Sequence, residues 1–237
     1  MSRWKLHFGP ETIRRQASVT VPVTSVRQEI APGVWLDSRL ALVCPEAGWL
    51  AIADIHYGYE LSQQKAGFLF PDYGREGMET RMQTLLTDYQ PVSLILVGDM
   101  VHDWHGVREF LVWLDALRAC VPQVIMLRGN HDGYLADKLG GLEEFHLSGS
   151  HLFHHGHDEA WRGLGEIEIT GHWHPATVLS DGAGTNVRAP AFLREPRPRG
   201  GERWVLPAFS PWTGGTIYQR TPGDQLWMCH PRRILPV

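Results

Sequence analysis

The 237-residue sequence predicts an α/β fold, a four-layer α/β/β/α sandwich in which two mixed sheets pack face to face with helices outside. Three observations predict it. The first half alternates apolar strand runs with amphipathic helices, the second half is a succession of short strands separated by Gly and Pro, and polar groups close the apolar runs. In open parallel sheets, sites form outside the carboxyl ends of strands, so those polar groups belong together. A hydrophobic content of 43% and a charged content of 20% supply the core of one globular domain.

Taken in order, residues 1 to about 28 lack clear periodicity and read as an N-terminal arm, leaving 29–237 as a single domain. Val34-Trp35-Leu36-Asp37 and Leu40-Ala41-Leu42-Val43 read as a hairpin around Ser38-Arg39, and Trp49 to Ala53 as a buried strand running into Asp54. Met78, Met82, Leu85, Leu86 and Tyr89 fall at helical spacing until Pro91 stops the helix. Val92 to Val97 is an apolar strand entering Gly98-Asp99. Val107, Phe110, Leu111, Leu114 and Leu117 mark a second amphipathic helix, and the strand Val124 to Leu127 leads to Gly129-Asn130-His131. Leu152-Phe153, Ile167 to Ile169, Ala176 to Leu179, Val187 to Leu193, Trp204 to Leu206, Thr216 to Tyr218 and Leu226 to Met228 read as the strands of the second half. Arg194 to Gly201, rich in Arg, Pro and Gly, is the stretch nearest to a linker.

The net charge of −4 argues against a protein that holds nucleic acid through bulk positive charge. Cys44, Cys120 and Cys229 are odd in number and widely spaced, which fits neither a disulfide framework nor a thiolate zinc site. No apolar N-terminal segment follows the basic start and no apolar stretch approaches membrane-spanning length, so a cytoplasmic protein without a membrane partner is expected. Basic side chains are 19 Arg to three Lys. Arg188, Arg194, Arg197, Arg199 and Arg203 fall in one window, which reads either as a solvated loop or as an edge that grips the phosphates of a strand. Arg75, next to Gly74 at a helix start, is a second candidate for substrate binding.

The chemistry lies in the histidines. Eleven of 13 fall between His56 and His174, in the groups Asp54-Ile55-His56, Gly98-Asp99 with His102-Asp103, Gly129-Asn130-His131-Asp132, His154-His155-Gly156-His157 and Gly171-His172-Trp173-His174. Imidazole nitrogens, carboxylates and an amide oxygen suit divalent transition metals better than calcium or magnesium alone. A single Asp-x-His or Gly-Asp is ordinary turn chemistry; five such groups, each at an expected strand end, are not. His7, His105, His146, His151 and His230 stand outside the groups and read as ordinary surface or core residues.

This order of motifs over residues 54–174 resembles the calcineurin-like metallophosphoesterase superfamily. Leu206-Pro207-Ala208-Phe209-Ser210 and Thr213-Gly214-Gly215 are similar to the ending of a bacterial and archaeal branch that includes metallophosphoesterases associated with a DNA ligase in DNA-damage-response gene clusters. The resemblance implies a metallophosphoesterase sandwich and two divalent ions, with manganese, iron and zinc all plausible, bridged by Asp99. One would be held by Asp54, His56 and His174, the other by Asn130, His172 and a histidine of the 154–157 group. His155 is favoured because it precedes Gly156, with His154 and His157 as alternatives. It also implies that His131 is not a ligand but serves the leaving group, with His102 or Asp103 orienting it; many members carry a carboxylate where this chain has His102. Asp132 is expected to cap the following short helix. The implied reaction is hydrolysis of a phosphoester by metal-bound hydroxide, the two cations clamping the attacking and leaving oxygens. A phosphodiester, DNA or RNA, is the expected substrate. The alternatives are a small-molecule phosphatase or cyclic-nucleotide phosphodiesterase, and a non-catalytic metal-binding scaffold.

Overall fold

The computed structural model describes residues 26–158, 160–161, 164–180, 182–198 and 200–237. Most of the expected N-terminal arm lies outside them, as do His7 and Arg199. Residues 27 and 28 of that arm already belong to the first strand.

The first sheet is a meander followed by a parallel block: β1 (Arg27–Ala31), β2 (Val34–Asp37), β3 (Ala41–Cys44), β4 (Trp49–Ala53), β5 (Ser93–Val97) and β6 (Gln123–Leu127), in that spatial order. The first three pairings are antiparallel, whereas β4–β5 and β5–β6 are parallel. Parallel strands need crossovers, and the helices provide them. Between β4 and β5 run α1 (Tyr59–Lys65) and α2 (Gly74–Tyr89); between β5 and β6 runs α3 (Val107–Cys120); α4 (Gly133–Leu139) follows β6. Every residue of β4 is buried, which explains why it reads as a continuous apolar run rather than an alternating one: both faces are covered. Met78, Met82, Leu85 and Leu86 of α2 and Val107, Phe110, Leu114 and Leu117 of α3 are buried as the periodicity marks out, whereas Leu111 is half-buried and Trp113 joins the buried face. Gln90 ends α2 in the left-handed region with its N–H on the Leu86 carbonyl, and Pro91 cannot continue the helix.

The second sheet takes β7 (Phe145–Ser148), β8 (His151–His154), β9 (Ile167–Thr170), β10 (Pro175–Ser180), β11 (Asn186–Pro196), β12 (Glu202–Val205) and β13 (Thr216–Ile217) in the order β13-β10-β11-β12-β9-β8-β7, with β14 (Gln225–His230) paired to β11 and β15 (Arg233–Pro236) to β14. It is also mixed, since β8–β9, β9–β12 and β10–β13 are parallel pairs. Both sheets contribute to one core, from Leu42, Ile52 and Leu96 on the first to Phe153, Ile169, Phe192 and Trp204 on the second. Trp49 on β4 meets Phe153 on β8 edge to face at 5.2 Å, a contact that joins the two sheets directly.

The Arg194–Gly201 stretch is not a linker. Its first three residues finish β11, and the turn closes through Arg197 N–H to the Gly201 carbonyl, 3.1 Å. Opposite charges face each other across that hairpin: Glu195 is paired in register with Arg203, and Arg194 grips Glu202. Such cross-strand pairs favour strand pairing where composition alone suggests a mobile loop. Arg194 also donates to the Ile30 carbonyl of β1 at 2.8 Å, tying the hairpin to the first sheet. We expect Arg194→Ala to lower stability by about 1–3 kcal/mol, read as the midpoint of urea unfolding, because two charged hydrogen bonds to Glu202 and the tie to β1 go together.

Candidate metal centre

The parallel block brings the motifs together. Asp54 and His56 follow β4, Asp99 follows β5 and Asn130 follows β6, so their loops leave the same edge of the first sheet. His155 follows β8, and His172 and His174 follow β9, at the matching edge of the second. The segment Leu206–Ser210 binds the two edges together: Leu206 N–H reaches Thr170 O at 2.8 Å, Phe209 N–H reaches Ala53 O at 2.8 Å and Ser210 N–H reaches Asp54 O at 3.1 Å.

The backbone is strained where it turns into the site. Asp54, His56, Asp99, His172 and His174 have φ between 43° and 67°, and they are five of the seven described non-glycine residues with positive φ. Each such conformation costs about 1 kcal/mol or more and persists only where surrounding contacts hold it. Glycines leave room for this crowding. A Cβ at Gly98 would overlap the His155 ring, and one at Gly129 would overlap the amide and carboxylate of Asp99. Gly129→Ala should therefore displace Asp99 and weaken metal loading by roughly 10–100-fold, the usual cost of disturbing the groups that orient ligands; metal titration of the purified variant checks this.

Three donor groups form among the described residues: two share Asp99, and the third is His56, His102 and His131. Asp54, His56, Asp99 and His174 place one ligand atom each within 4.8 Å of one another, and so do Asp99, His155 and His172. His174 Nε2 lies 3.2 Å from Asp54 Oδ1, and His155 Nε2 lies 3.4 Å from Asp99 Oδ2 and 3.1 Å from Asn130 Oδ1. His56 Nε2 and His174 Nε2 face each other at 3.4 Å. No Lys or Arg stands among these donors, so lone pairs and carboxylates converge on one another. That arrangement fits divalent ions and is hard to account for by packing. The residues expected for the ligand set are the residues brought together, and His155, not His154 or His157, completes the second group. His154 is buried against Glu168 instead, 3.6 Å away, while His157 lies outside the ligand group with its ring 5.3 Å from that of His155.

The surroundings prepare the donors. His155 Nδ1 donates to the Val97 carbonyl at 3.2 Å, which fixes the ring with Nε2 turned to Asp99 and Asn130. Burial pushes His56 down to about 4, so its ring is neutral at neutral pH, the form that binds a metal. Burial also lowers His172. For His155 burial acts in the same direction, but its hydrogen bond to Asp99 and the charges of Asp54 and Asp99 outweigh it. Burial would raise Asp99, yet the hydrogen bond and charge of His155, the His131 amide and His56 hold it well below the usual carboxylate range.

His131 is exposed and outside the two groups that share Asp99, with its ring 5.1 Å from His56 and its ligand atom grouped only with those of His56 and His102. Its Nδ1 meets the backbone carbonyl of His102 at 2.9 Å, leaving Nε2 for proton exchange. Neither side chain expected to orient it makes that bond. The His102 ring stacks on His131 at 5.7 Å and rests against Tyr59, while Asp103 accepts from the Ser62 hydroxyl and the His105 amide. Asp103 is thus the cap of a 3-10 turn, Trp104–Gly106.

Asp132 is not the helix cap expected of it, for it makes no side-chain bond to α4. Its fully buried carboxylate accepts the amides of Met100 at 2.8 Å, Val101 at 3.2 Å and Gly129 at 2.9 Å, fastening the loop after β5 to the loop after β6. We expect Asp132→Ala to cost about 3 kcal/mol or more in urea unfolding, because three buried N–H groups lose their acceptor at about 1–3 kcal/mol each.

The remaining candidates are elsewhere. Arg75 pairs with Asp72 at 3.3 Å and lines a shallow depression with Tyr57, Glu79, Arg108 and Trp113. Within the arginine window Arg194, Arg197 and Arg203 face Glu202, Glu168 and Glu195. His105 binds Asp103, His146 stands by Glu143, His151 packs between Trp49 and Trp204, and His230 is exposed. Trp173, half exposed, lies beside His172 with Arg203 over its ring. Sequence reasoning missed Ser62 and Tyr59 as supports of the His102-Asp103 loop, since α1 carries no apolar periodicity that would announce it.

Comparisons with known proteins agree with this geometry. Residues 50–217 match the family described as calcineurin-like phosphoesterase. Among solved structures, the Pseudomonas putida nuclease MPE superposes with a TM-score of 0.67 at 23% identity, over 90% of this chain and 100% of that one. No curated protein matches at the sequence level. The family match covers most of the chain and includes every candidate ligand position, so the protein belongs to the calcineurin-like phosphoesterases and is a metal-dependent hydrolase.

Proposed function

We propose that the protein is a dinuclear phosphodiesterase that cuts nucleic-acid strands, acting in DNA repair in functional association with a DNA ligase. One observation carries the catalytic part of the reading: two donor groups share Asp99, and His131, which belongs to neither, is fixed beside them by the His102 carbonyl. An exposed histidine held by a backbone carbonyl beside those two groups suits a proton donor better than a scaffold that merely binds metal. Asp54, His56 and His174 would hold one ion, and Asn130, His155 and His172 the other. Two divalent ions, with manganese favoured, would supply Lewis-acid polarisation and a water activated near neutral pH. The neutral amide of Asn130 adds an oxygen donor without a negative charge that would repel a phosphate. His131 Nε2 is the atom placed to protonate or hydrogen-bond the leaving oxygen. A diester strand as substrate agrees with the ending at Leu206–Gly215 and with the description of the Pseudomonas putida protein as a nuclease.

The test is a substrate panel on purified protein, first stripped by chelator and then reconstituted with Mn²⁺. We expect no hydrolysis after chelation, recovery with Mn²⁺, and preference for oligonucleotides over phosphomonoesters. Full activity in protein shown by elemental analysis to be metal-free would overturn the centre. Preference for monoesters would overturn the substrate.

A further inference from the structure

Next to the candidate metal centre lies a half-open cavity of about 460 Å³ whose lining includes the candidate ligand His174. It opens between the Ser38–Leu40 turn, α2, the start of β10 and the Ser210–Gly215 segment. Most of its wall is apolar, with Pro175, Ala189 and Pro190 among the residues facing it. Three arginines line it, and their partners differ. Arg39 is neutralised by Asp37 and Asp88, each at 2.7 Å. Arg81, on α2, has among the described residues the Phe209 carbonyl at 3.1 Å and the Phe209 ring 4.9 Å away. No carboxylate among the described residues pairs with it, and burial lowers its pKa. Arg188 gives one N–H to the Gly215 carbonyl and likewise faces no carboxylate among the described residues.

Withdrawing a guanidinium from water without a counter-ion is costly, as at half-buried Arg81, and a guanidinium has five N–H donors, of which Arg81 and the exposed Arg188 each spend one. Elsewhere in this chain the buried or half-buried cations at Arg39, Arg194 and Arg203 are all matched by acids. We propose that this cavity binds a second phosphate of the substrate strand, adjacent to the scissile one, with Arg81 and Arg188 as its cationic partners and the adjoining nucleoside against the apolar wall. Arginine suits that ligand because its parallel N–H groups match two phosphate oxygens at once. The inference rests on the phosphodiesterase reading and deepens it: the preferred substrate carries more than one phosphate.

Two measurements on the full chain test it. With Mn²⁺-loaded protein, a thymidine dinucleotide with its single internal diester is compared with the same dinucleotide phosphorylated at both ends. We expect the end phosphates to raise kcat/KM about tenfold or more, and the gain to shrink to about threefold or less in Arg188→Ala and Arg81→Met, as loss of a charged hydrogen bond implies. Arg81→Lys, which keeps the charge, should retain part of it. In chelator-treated protein, calorimetry with thymidine bisphosphate should show binding that both variants weaken. A gain that persists in Arg188→Ala, an exposed position whose replacement leaves the core untouched, would overturn the proposal, as would the absence of any gain in the parent. Failures of the two readings are distinguishable. Bisphosphate binding that depends on both arginines, in a protein that cuts no diester, refutes the phosphodiesterase and keeps the cavity. Diester hydrolysis indifferent to the extra phosphates does the reverse.

Discussion

Asp99→Asn should abolish hydrolysis and release metal from both positions. Asp99 is the one residue common to both donor groups, and its carboxylate is buried, held ionised by His155, His56 and the His131 amide. Two divalent cations side by side repel each other, and a shared carboxylate is what offsets that repulsion. An amide of the same shape offers one neutral oxygen and an N–H pair that cannot ligate. The loss should therefore exceed the roughly 10–100-fold that changes behind the ligands produce. Asp99 Oδ1 also accepts the His131 amide at 2.9 Å, so the variant can misplace His131 as well. Elemental analysis and rate measurements across a Mn²⁺ titration check the result. Parent-like activity with a full complement of two ions would show that Asp99 does not bridge.

His131→Ala should behave in the opposite way: near-normal metal content and a large, selective loss of rate. His131 is exposed, belongs to neither shared donor group, and is anchored by the His102 carbonyl. Removing it leaves the donors in place and deletes only the proton that Nε2 would deliver. General acid catalysis is worth roughly 10²–10⁴-fold where the leaving group is poor. Alkyl esters and nucleoside diesters should lose that much, while nitrophenyl esters, whose leaving group departs unaided, should lose far less. Equal losses on both, or loss of the ions, would assign His131 another role. The two variants together separate the binding of ions from the handling of the leaving group.

Much of this centre was legible in the chain because its parts are local. Each motif ends an apolar run, and the runs are readable one at a time: Trp49–Ala53 before Asp54, Leu94–Val97 before Asp99, Val124–Leu127 before Asn130. Parallel pairing of β4, β5 and β6 then aligns the ends without further information. Shorter elements escaped. α1 buries only Glu60 and so has no apolar stripe, and β7 and β15 are four residues each. The hairpin at Arg194–Gly201 was hidden because its stabilising pairs are charged, and charge next to Pro and Gly is also what a solvated loop looks like.

The sequence by itself determined the class of fold, and it put forward the candidate ligands, apart from the choice within the 154–157 group, with His131 as a separate candidate. Only the tertiary structure decided the rest, since the deciding contacts join residues far apart in the chain. His154 ends β8 and is buried against Glu168, so the next residue, His155, is the one that turns to the centre, where Gly98 leaves space for its ring. His102 serves His131 through its backbone, which no side-chain identity could reveal. Asp132 fastens two loops because Met100 and Val101, about thirty residues away in the chain, present amides to it. Whether an arginine is spent on an acid or left for a substrate depends on what the fold sets opposite it. Arg194 meets Glu202, whereas Arg81 meets a carbonyl and a ring at the wall of a cavity beside the centre.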